Sequence, residues 1–374
     1  SFTINVGDFL TEDILTSVID AVERLLDLGL IYEALPVVYG YAQTIIPDDL
    51  FYLVSNPLTK DQLISDVRVI VPILREVVEA QVYNIMLEDQ AIPFKGIAEH
   101  LTTIIDLLVH TNIISTDADL FVINTLKLFG LELTNSELES VDYEHDLNNL
   151  YEIFETIETI LLRSKFEDHA ELLDFVNNLD MSTILDNTDL INTENALSIL
   201  DIVQYVLDAE LIRAVFEPIY EAQLKDMVSA DFASILEFNE DYAAGDLLDD
   251  LSTIVDALQS IVSFEVIEVI NAEGEIQWQN IGLVSDGIRQ IFSIKLLEAK
   301  ESAILDLIAE MTGLTLVDVA DIDWSQTGNQ LGNVIDHIGI VLSEANVLNK
   351  LADLDTITDN LDAFLTENIL NEVI

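Results

Sequence analysis

The sequence has no cysteine among its 374 residues. Disulfide bonds, zinc–thiolate sites, iron–sulfur clusters and cysteine nucleophiles are therefore excluded. Long apolar runs are also missing. The longest uncharged stretch, Ala34 to Pro47, has 14 residues, whereas a membrane-spanning helix needs about 20 apolar residues. We therefore expect no membrane insertion.

Basic residues are scarce: 14 Lys and Arg stand against 70 Asp and Glu, which gives a net charge of −56. Nucleic-acid binding requires basic surface that displaces counterions from phosphates, so nucleic acids and anionic membranes are excluded as ordinary partners. The chain is nevertheless 50 % apolar with a mean hydropathy of +0.37. This content is far too high for a disordered acidic tail, so the chain must bury a large core.

Recognised catalytic motifs are absent. The sequence lacks the glycine-rich phosphate loop, the dinucleotide-binding GxGxxG, the zinc-protease HExxH and the hydrolase GxSxG. The histidines are scattered, with no pair at the i, i+3 or i+4 spacing of a helical metal site; they are His100, His110, His145, His169 and His337. We expect these histidines to face solvent or a boundary. The sequence therefore predicts that the protein is not an enzyme and requires no cofactor.

Internal repeats are visible in three stretches that align without a gap, 92–106, 141–155 and 322–336. Each stretch has an aromatic residue, a Leu seven positions later, and then two apolar residues followed by an acid. The aromatic residues are Phe94, Tyr143 and Trp324. Apolar residues at these steps share one face of a helix. Asp142 and Asp323 precede an aromatic where a helix N-cap is expected.

Partial copies of this pattern predict paired helices. In two copies a proline follows, Pro36 and Pro218, and each is expected in the first turn of a second helix, where proline is tolerated. Acids at 106, 155, 201 and 256 are 49, 46 and 55 residues apart. The sequence therefore predicts a mainly α protein, an elongated array of degenerate helix–turn–helix repeats of about 50 residues.

Smaller features divide the chain further. Imperfect alternation around the turn sequence Asn271–Gly274 favours a small β-hairpin near 264–280, and residues 1–6 are compatible with an edge strand. Five of the six prolines lie in the first 93 residues. We therefore distinguish an N-terminal proline-containing segment (1–91), a segment of helical repeats (92–260) and a C-terminal segment (261–374) that combines repeats, the hairpin and an acidic end.

Closely spaced acids suggest calcium, because hard cations prefer several carboxylate oxygens. The candidate ligands are Asp117, Asp119, Asp321, Asp323, Asp353 and Asp355, and a further group comprises Asp246, Asp249 and Asp250. None of these groups fits an EF-hand loop. Each also lies where a helix is expected to begin, and acids there are favoured by the helix dipole. Helix capping therefore competes with Ca²⁺ binding at every one of them.

Three function classes remain open. The first, which we favour, is a non-catalytic secreted or cell-surface scaffold that self-associates or binds another protein, with divalent cations bridging its acidic surface. The second is an intracellular acidic protein of a salt-adapted organism. The third is a carrier or enzyme with a pocket between helices. The chain begins at Ser1 without a secretory signal pattern, so we expect that any signal has been removed, that the chain is an excised piece, or that an initiator Met was lost.

Overall fold

The computed structural model describes residues 11–42, 44, 59–86, 91–112, 118–128, 130–131, 133–177, 189–190, 192–225, 235–264, 278–312 and 323–345. This part of the chain contains 15 α-helices and no strand, which confirms the mainly α prediction. The chain divides into two compact units, residues 1–189 and 190–374. The segment limits predicted after residues 91 and 260 fall inside these units and stay predictions.

The first unit contains eight helices in its described residues: α1 (Glu12–Leu26), α2 (Gly29–Ala42), α3 (Lys60–Glu79), α4 (Ile97–Val109), α5 (Ala118–Leu128), α6 (Asn135–Leu138), α7 (Tyr143–Arg163) and α8 (His169–Asn177). A 3₁₀ turn, Val82–Met86, follows α3. Helix α3 packs against α1, α2 and α4, and α4 packs in turn against α7. Some of these contacts join consecutive helices, whereas α1 with α3 and α4 with α7 skip one or two helices along the chain.

The core of the first unit lies between α1 and α3. Ile19 and Leu26 of α1 meet Val71 and Val78 of α3, and all four side chains are buried. Each buried aliphatic side chain stabilises the fold by about 1.5–3 kcal/mol. Helix α3 begins at a capping box, in which Thr59 and Gln62 exchange hydrogen bonds between side chain and backbone. The box satisfies amide groups that have no partner inside the helix.

The second unit contains seven helices in its described residues: α9 (Thr193–Asp208), α10 (Glu210–Ile219), α11 (Ala244–Val262), α12 (Gly282–Ile291), α13 (Lys295–Ala299), α14 (Glu301–Thr312) and α15 (Trp324–Ala345). Helix α9 packs against α11, α11 against α12, and α12 against α15. Leu207 of α9 meets Leu248 and Val255 of α11 in a buried cluster. The helix contacts of this unit therefore lead from α9 to α11, then to α12 and then to α15, which is the order of these helices along the chain.

Glycine allows α12 to approach its neighbours closely. A Cβ atom on Gly287 would lie 2.6 Å from the carbonyl oxygen of Ala257 on α11. On the other side of α12, a Cβ on Gly332 of α15 would lie 2.6 Å from Nε of Arg289. Backbone atoms at the first contact cannot move aside, so the α11–α12 packing requires the absence of a side chain at Gly287.

The predicted helix pairs occur, but their prolines are placed differently. Helices α1 and α2 follow each other across a short turn, as do α9 and α10. Pro36 and Pro218 lie inside α2 and α10, so the prediction that each proline marks a first turn is wrong. Proline removes an amide donor from the helix interior. In α10 the helix ends one residue after Pro218, and the wider π-helical turn Tyr220–Leu224 follows, the kind of distortion that accompanies an interrupted helical ladder.

The three aligned stretches differ in their local structure. Tyr143 and Trp324 each begin a long helix directly after a capping aspartate. Phe94 instead lies three residues before α4, whose N-cap is Gly96 with a φ of 84°. The helix starts predicted at Asp142 and Asp323 are therefore confirmed, whereas the aligned stretch at Phe94 enters its helix later. The described residues therefore do not confirm the predicted repeats of about 50 residues.

The hairpin prediction is wrong where the structure describes the segment. Trp278–Asn280 forms a 3₁₀ turn, and the carbonyl oxygen of Trp278 accepts a hydrogen bond from the amide of Ile281. This turn leads through Ile281 into α12, so the described end of the predicted hairpin is helical. Residues 265–277 of the predicted hairpin and the predicted edge strand at 1–6 lie outside the described residues. Within the described ranges, no helix combines the length and apolar content needed to cross a membrane.

Candidate functional site

Two of the acids predicted to bind calcium, Asp119 and Asp323, lie in described residues, and each accepts a hydrogen bond within the fold. Asp323 caps α15, and its Oδ1 accepts a hydrogen bond from the amide of Gln326 at 2.8 Å. Asp119 Oδ1 accepts a hydrogen bond from the hydroxyl of Tyr143 at 2.8 Å, which joins α5 to α7. The remaining predicted ligands lie outside the described residues; they are Asp117, Asp321, Asp353 and Asp355.

The aspartates of α11 point to separate partners. Asp246 forms a salt bridge with Lys295 at 2.8 Å, and Asp249 forms one with Arg213 at 2.6 Å. The hydrogen bond from Lys295, together with one from the amide of Ala243, lowers the pKa of Asp246 below its ordinary value. These carboxylates hold neighbouring segments to α11 and do not converge on a common cation position.

Asp250 is the buried member of this group. Its Oδ1 accepts a hydrogen bond from the amide of Lys295 at 2.8 Å, and its Oδ2 accepts one from the amide of Leu296 at 2.7 Å. The hydroxyl of Tyr242, a fully buried residue, donates a further hydrogen bond to Oδ2 at 2.9 Å. Burial, followed by the contact with Asp250, raises the pKa of Tyr242. The carboxylate therefore fastens the start of α13 to α11.

The histidines make mostly local contacts, and none of the five is fully buried. His110 and His337 are exposed, and each pairs Nδ1 with the carbonyl oxygen of a residue four positions earlier. His169 Nδ1 accepts a hydrogen bond from the amide of Ile92 at 2.7 Å. His145 contacts Asn149 on the next turn of α7. His100 differs from these in that it contacts a carboxylate from another helix.

His100 meets two glutamates across the contact between α3 and α4. Glu76 and Glu79 lie in the last turn of α3, and His100 lies in the first turn of α4. Nδ1 of His100 is 2.8 Å from Oε2 of Glu76, and the two side chains are 27 % and 23 % exposed, respectively. One potential ligand atom from each of the three residues lies within 4.8 Å of the others. Two carboxylates and one imidazole form a donor set that suits divalent transition metals.

The sequence did not reveal this group, because its members are distant along the chain. Glu76 and His100 are 24 residues apart and belong to different helices. A helix-spacing search finds Glu76 with Glu79 but cannot tell which other helix faces them. The missing information was the pairing of α3 with α4, which depends on tertiary packing.

A polar cluster also joins α12 to α15. Asp336 Oδ2 lies 2.5 Å from Nη2 of Arg289, and its other oxygen accepts a hydrogen bond from the hydroxyl of Ser285. Burial alone would raise the pKa of Asp336, but the hydrogen bonds from Ser285 and Arg289 lower it overall. The Ser285 hydroxyl also donates a hydrogen bond to the carbonyl oxygen of Gly282 and accepts one from Arg289, so we assign this cluster to helix packing.

A shallow, open groove of about 440 Å³ runs along α3. Its lining residues all belong to that helix: Asp61, Ile64, Ser65, Arg68, Val69 and Pro72. Arg68 is directed toward α2, where it donates a hydrogen bond to the hydroxyl of Tyr32 at 2.8 Å. Among the residues of the groove that the structure describes, Arg68 is therefore engaged with α2.

Comparison with known proteins finds no matching family, no similar curated protein and no similar solved structure.

Proposed function

We propose that the protein is a non-catalytic, secreted or cell-surface scaffold built from degenerate helical repeats. It self-associates through apolar helix faces, and divalent cations such as Ca²⁺ bridge its acidic surface. The observation that carries this proposal is an apolar stripe on α15, formed by Leu331, Val334 and Ile338.

The stripe lies on a side of α15 different from the one that packs on α12. Leu331, Val334 and Ile338 are 43 %, 56 % and 48 % exposed. Their spacing of three and four residues places them on one face of the helix. Gly332, by contrast, is buried against Arg289 of α12. Aligned exposed aliphatic residues are typical of a surface that another protein covers.

The order of helix packing supports a repeat array. Contacts run from α1 and α2 through α3 and α4 to α7 in the first unit, and from α9 through α11 and α12 to α15 in the second. In repeat proteins each element contacts mainly its neighbours, and the last elements need capping surfaces. A second copy of the chain that covers the α15 stripe would continue such contacts from one copy to the next.

The charge imbalance supports a role for cations in assembly. With a net charge of −56, two copies repel each other when they approach closely. Carboxylate oxygens bind Ca²⁺, and bound cations reduce this repulsion. Assembly should therefore respond to calcium more strongly than to sodium at matched ionic strength.

Light scattering with and without millimolar Ca²⁺, at fixed ionic strength, tests this proposal. We expect the unaltered chain to assemble in Ca²⁺ and to stay smaller in the matched sodium buffer. The double variant Val334→Ser/Ile338→Ser should remain monomeric in both. A matched control, Leu173→Ser/Val176→Ser, removes two aliphatic residues of similar exposure from α8 and should assemble normally. A monomer in both buffers, or equal assembly of both double variants, would contradict the proposal.

A further inference from the structure

We propose that Glu76, Glu79 and His100 form a binding site for a divalent first-row transition metal, with Zn²⁺ as the best-suited ion. The metal would tie the last turn of α3 to the first turn of α4. This inference is independent of the proposed scaffold function, because it concerns binding within one chain.

The positions of the three residues are fixed by regular helical structure. Glu76 and Glu79 are three residues apart in α3, so their side chains lie on the same face of the helix. Helix α4 packs against α3, and the contact between Nδ1 of His100 and Glu76 brings the imidazole to that face. Two rigid elements therefore present the donors, an arrangement that holds a site more accurately than a loop does.

The charges of the group favour a bound cation. Two carboxylates within 4.8 Å of each other repel, and like charges one helical turn apart are destabilising. Arg75, the nearest basic residue in the sequence, is engaged by Asp20 and Glu23 of α1. Among the described residues, no Lys or Arg forms a salt bridge with Glu76 or Glu79. A divalent ion between the carboxylates would remove this repulsion.

The donor types distinguish zinc from calcium. Ca²⁺ and Mg²⁺ are bound by oxygen ligands, whereas Zn²⁺ combines imidazole nitrogen with carboxylate oxygen. Tetrahedral ligands at Zn²⁺ distances of about 2.0–2.1 Å lie about 3.3 Å apart. Nδ1 of His100 lies 2.8 Å from Oε2 of Glu76, and the potential ligand atoms of the three residues lie at most 4.8 Å apart. The ligand separation expected around Zn²⁺ falls between these two distances. Small side-chain rotations would suffice to bind the ion, and the fourth position is left for water.

Isothermal titration of the full chain with ZnCl₂ tests the site. The buffer contains millimolar Ca²⁺, which occupies the many carboxylates that bind cations through oxygen alone. His100→Gln keeps a hydrogen-bond donor near Glu76, and Glu79→Gln alters an exposed side chain, so both variants should fold. His110→Gln is the matched control, because it removes an exposed imidazole that adjoins α4.

We expect one Zn²⁺ per chain in the unaltered protein and in His110→Gln. His100→Gln and Glu79→Gln should each lose at least about tenfold in affinity, since changes even beyond the direct ligands of a metal cost 10–100-fold. Zn²⁺ should also raise the unfolding temperature of the unaltered chain by more than it raises that of Glu79→Gln. Equal Zn²⁺ affinity in all four proteins would overturn the proposal, as would binding that Ca²⁺ abolishes. Neither result depends on the oligomeric state tested by light scattering.

Discussion

Arg289 of α12 and Asp336 of α15 form a close ion pair, with Nη2 of the arginine 2.5 Å from Oδ2 of the aspartate. The side chain of Arg289 is 25 % exposed and that of Asp336 is 35 % exposed. The aspartate also accepts a hydrogen bond from Ser285. The pair therefore links α12 to α15, which pack against each other. Because the position is partly desolvated, the ion pair stabilises the fold more than an exposed surface pair would.

This pair should make the second unit sensitive to acid. The hydrogen bonds lower the pKa of Asp336 in the folded chain below the ordinary value of 3.8. The stabilisation is therefore present above pH 3.8 and is lost as the pH falls through the lower folded-state pKa. Asp336→Asn should cost about 1 kcal/mol at neutral pH, and less at the acid end of this range. Chemical denaturation at several pH values measures the difference, and a difference that stays constant down to the lowest pH would contradict the assignment.

Substitution of two glycines should have opposite effects. Gly287→Ala places a methyl group against the backbone of α11 and should destabilise the fold by about 1–3 kcal/mol. Gly245→Ala, at an exposed position of α11 with nothing within 4 Å of the new methyl group, should stabilise it by about 0.5–1 kcal/mol. Urea denaturation of both variants measures these changes. If both variants gain stability, the close α11–α12 contact does not exist in solution.

The Asp250 cluster should be more sensitive at the carboxylate than at the phenol. Asp250→Asn turns an amide group toward backbone donors of α13 and should cost about 2–3 kcal/mol, because buried polar groups lose their partners. Tyr242→Phe removes one of the three hydrogen bonds and should cost about 1 kcal/mol. Thermal or urea denaturation compares the two. Equal losses would indicate that the amide contacts at Lys295 and Leu296 contribute little.

Asp323 offers a direct comparison of helix capping with calcium binding. Asp323→Ala removes the cap of α15 and should cost about 1 kcal/mol. Asp323→Asn retains an oxygen that can accept from Gln326 and should cost little. We expect the same ranking in EDTA and in millimolar Ca²⁺, measured by thermal unfolding. A loss in Asp323→Asn that appears only with Ca²⁺ would instead identify Asp323 as a calcium ligand.

Local signals in the sequence predicted local structure well. The aspartate–aromatic pairs at Asp142 and Asp323 were predicted as helix starts, and both aspartates accept amide hydrogen bonds there. Such caps depend on residues within one turn, so the sequence contains the information. The aligned stretch at Phe94 differs, because Gly96 is the N-cap of α4 and the helix begins at Ile97. The prediction failed at Pro218, which α10 accommodates close to its end.

Features that depend on helix pairing could not be predicted. The approach of His100 to Glu76 and the salt bridge between Arg289 and Asp336 each join two helices. With 70 acidic residues, almost any basic residue has many candidate partners. Only the packing order of the helices selects among them. At the described end of the predicted hairpin, Trp278–Asn280 likewise forms a turn that leads into α12.

The attachment of α15 has a mechanical consequence. In the described residues this helix contacts mainly α12 and the Trp278–Asn280 turn. A pulling force on α15 therefore acts on the α12–α15 contact before it reaches α9 or α11. Loss of the α12–α15 contact would detach the 22-residue helix α15, while the buried cluster of Leu207, Leu248 and Val255 would stay intact.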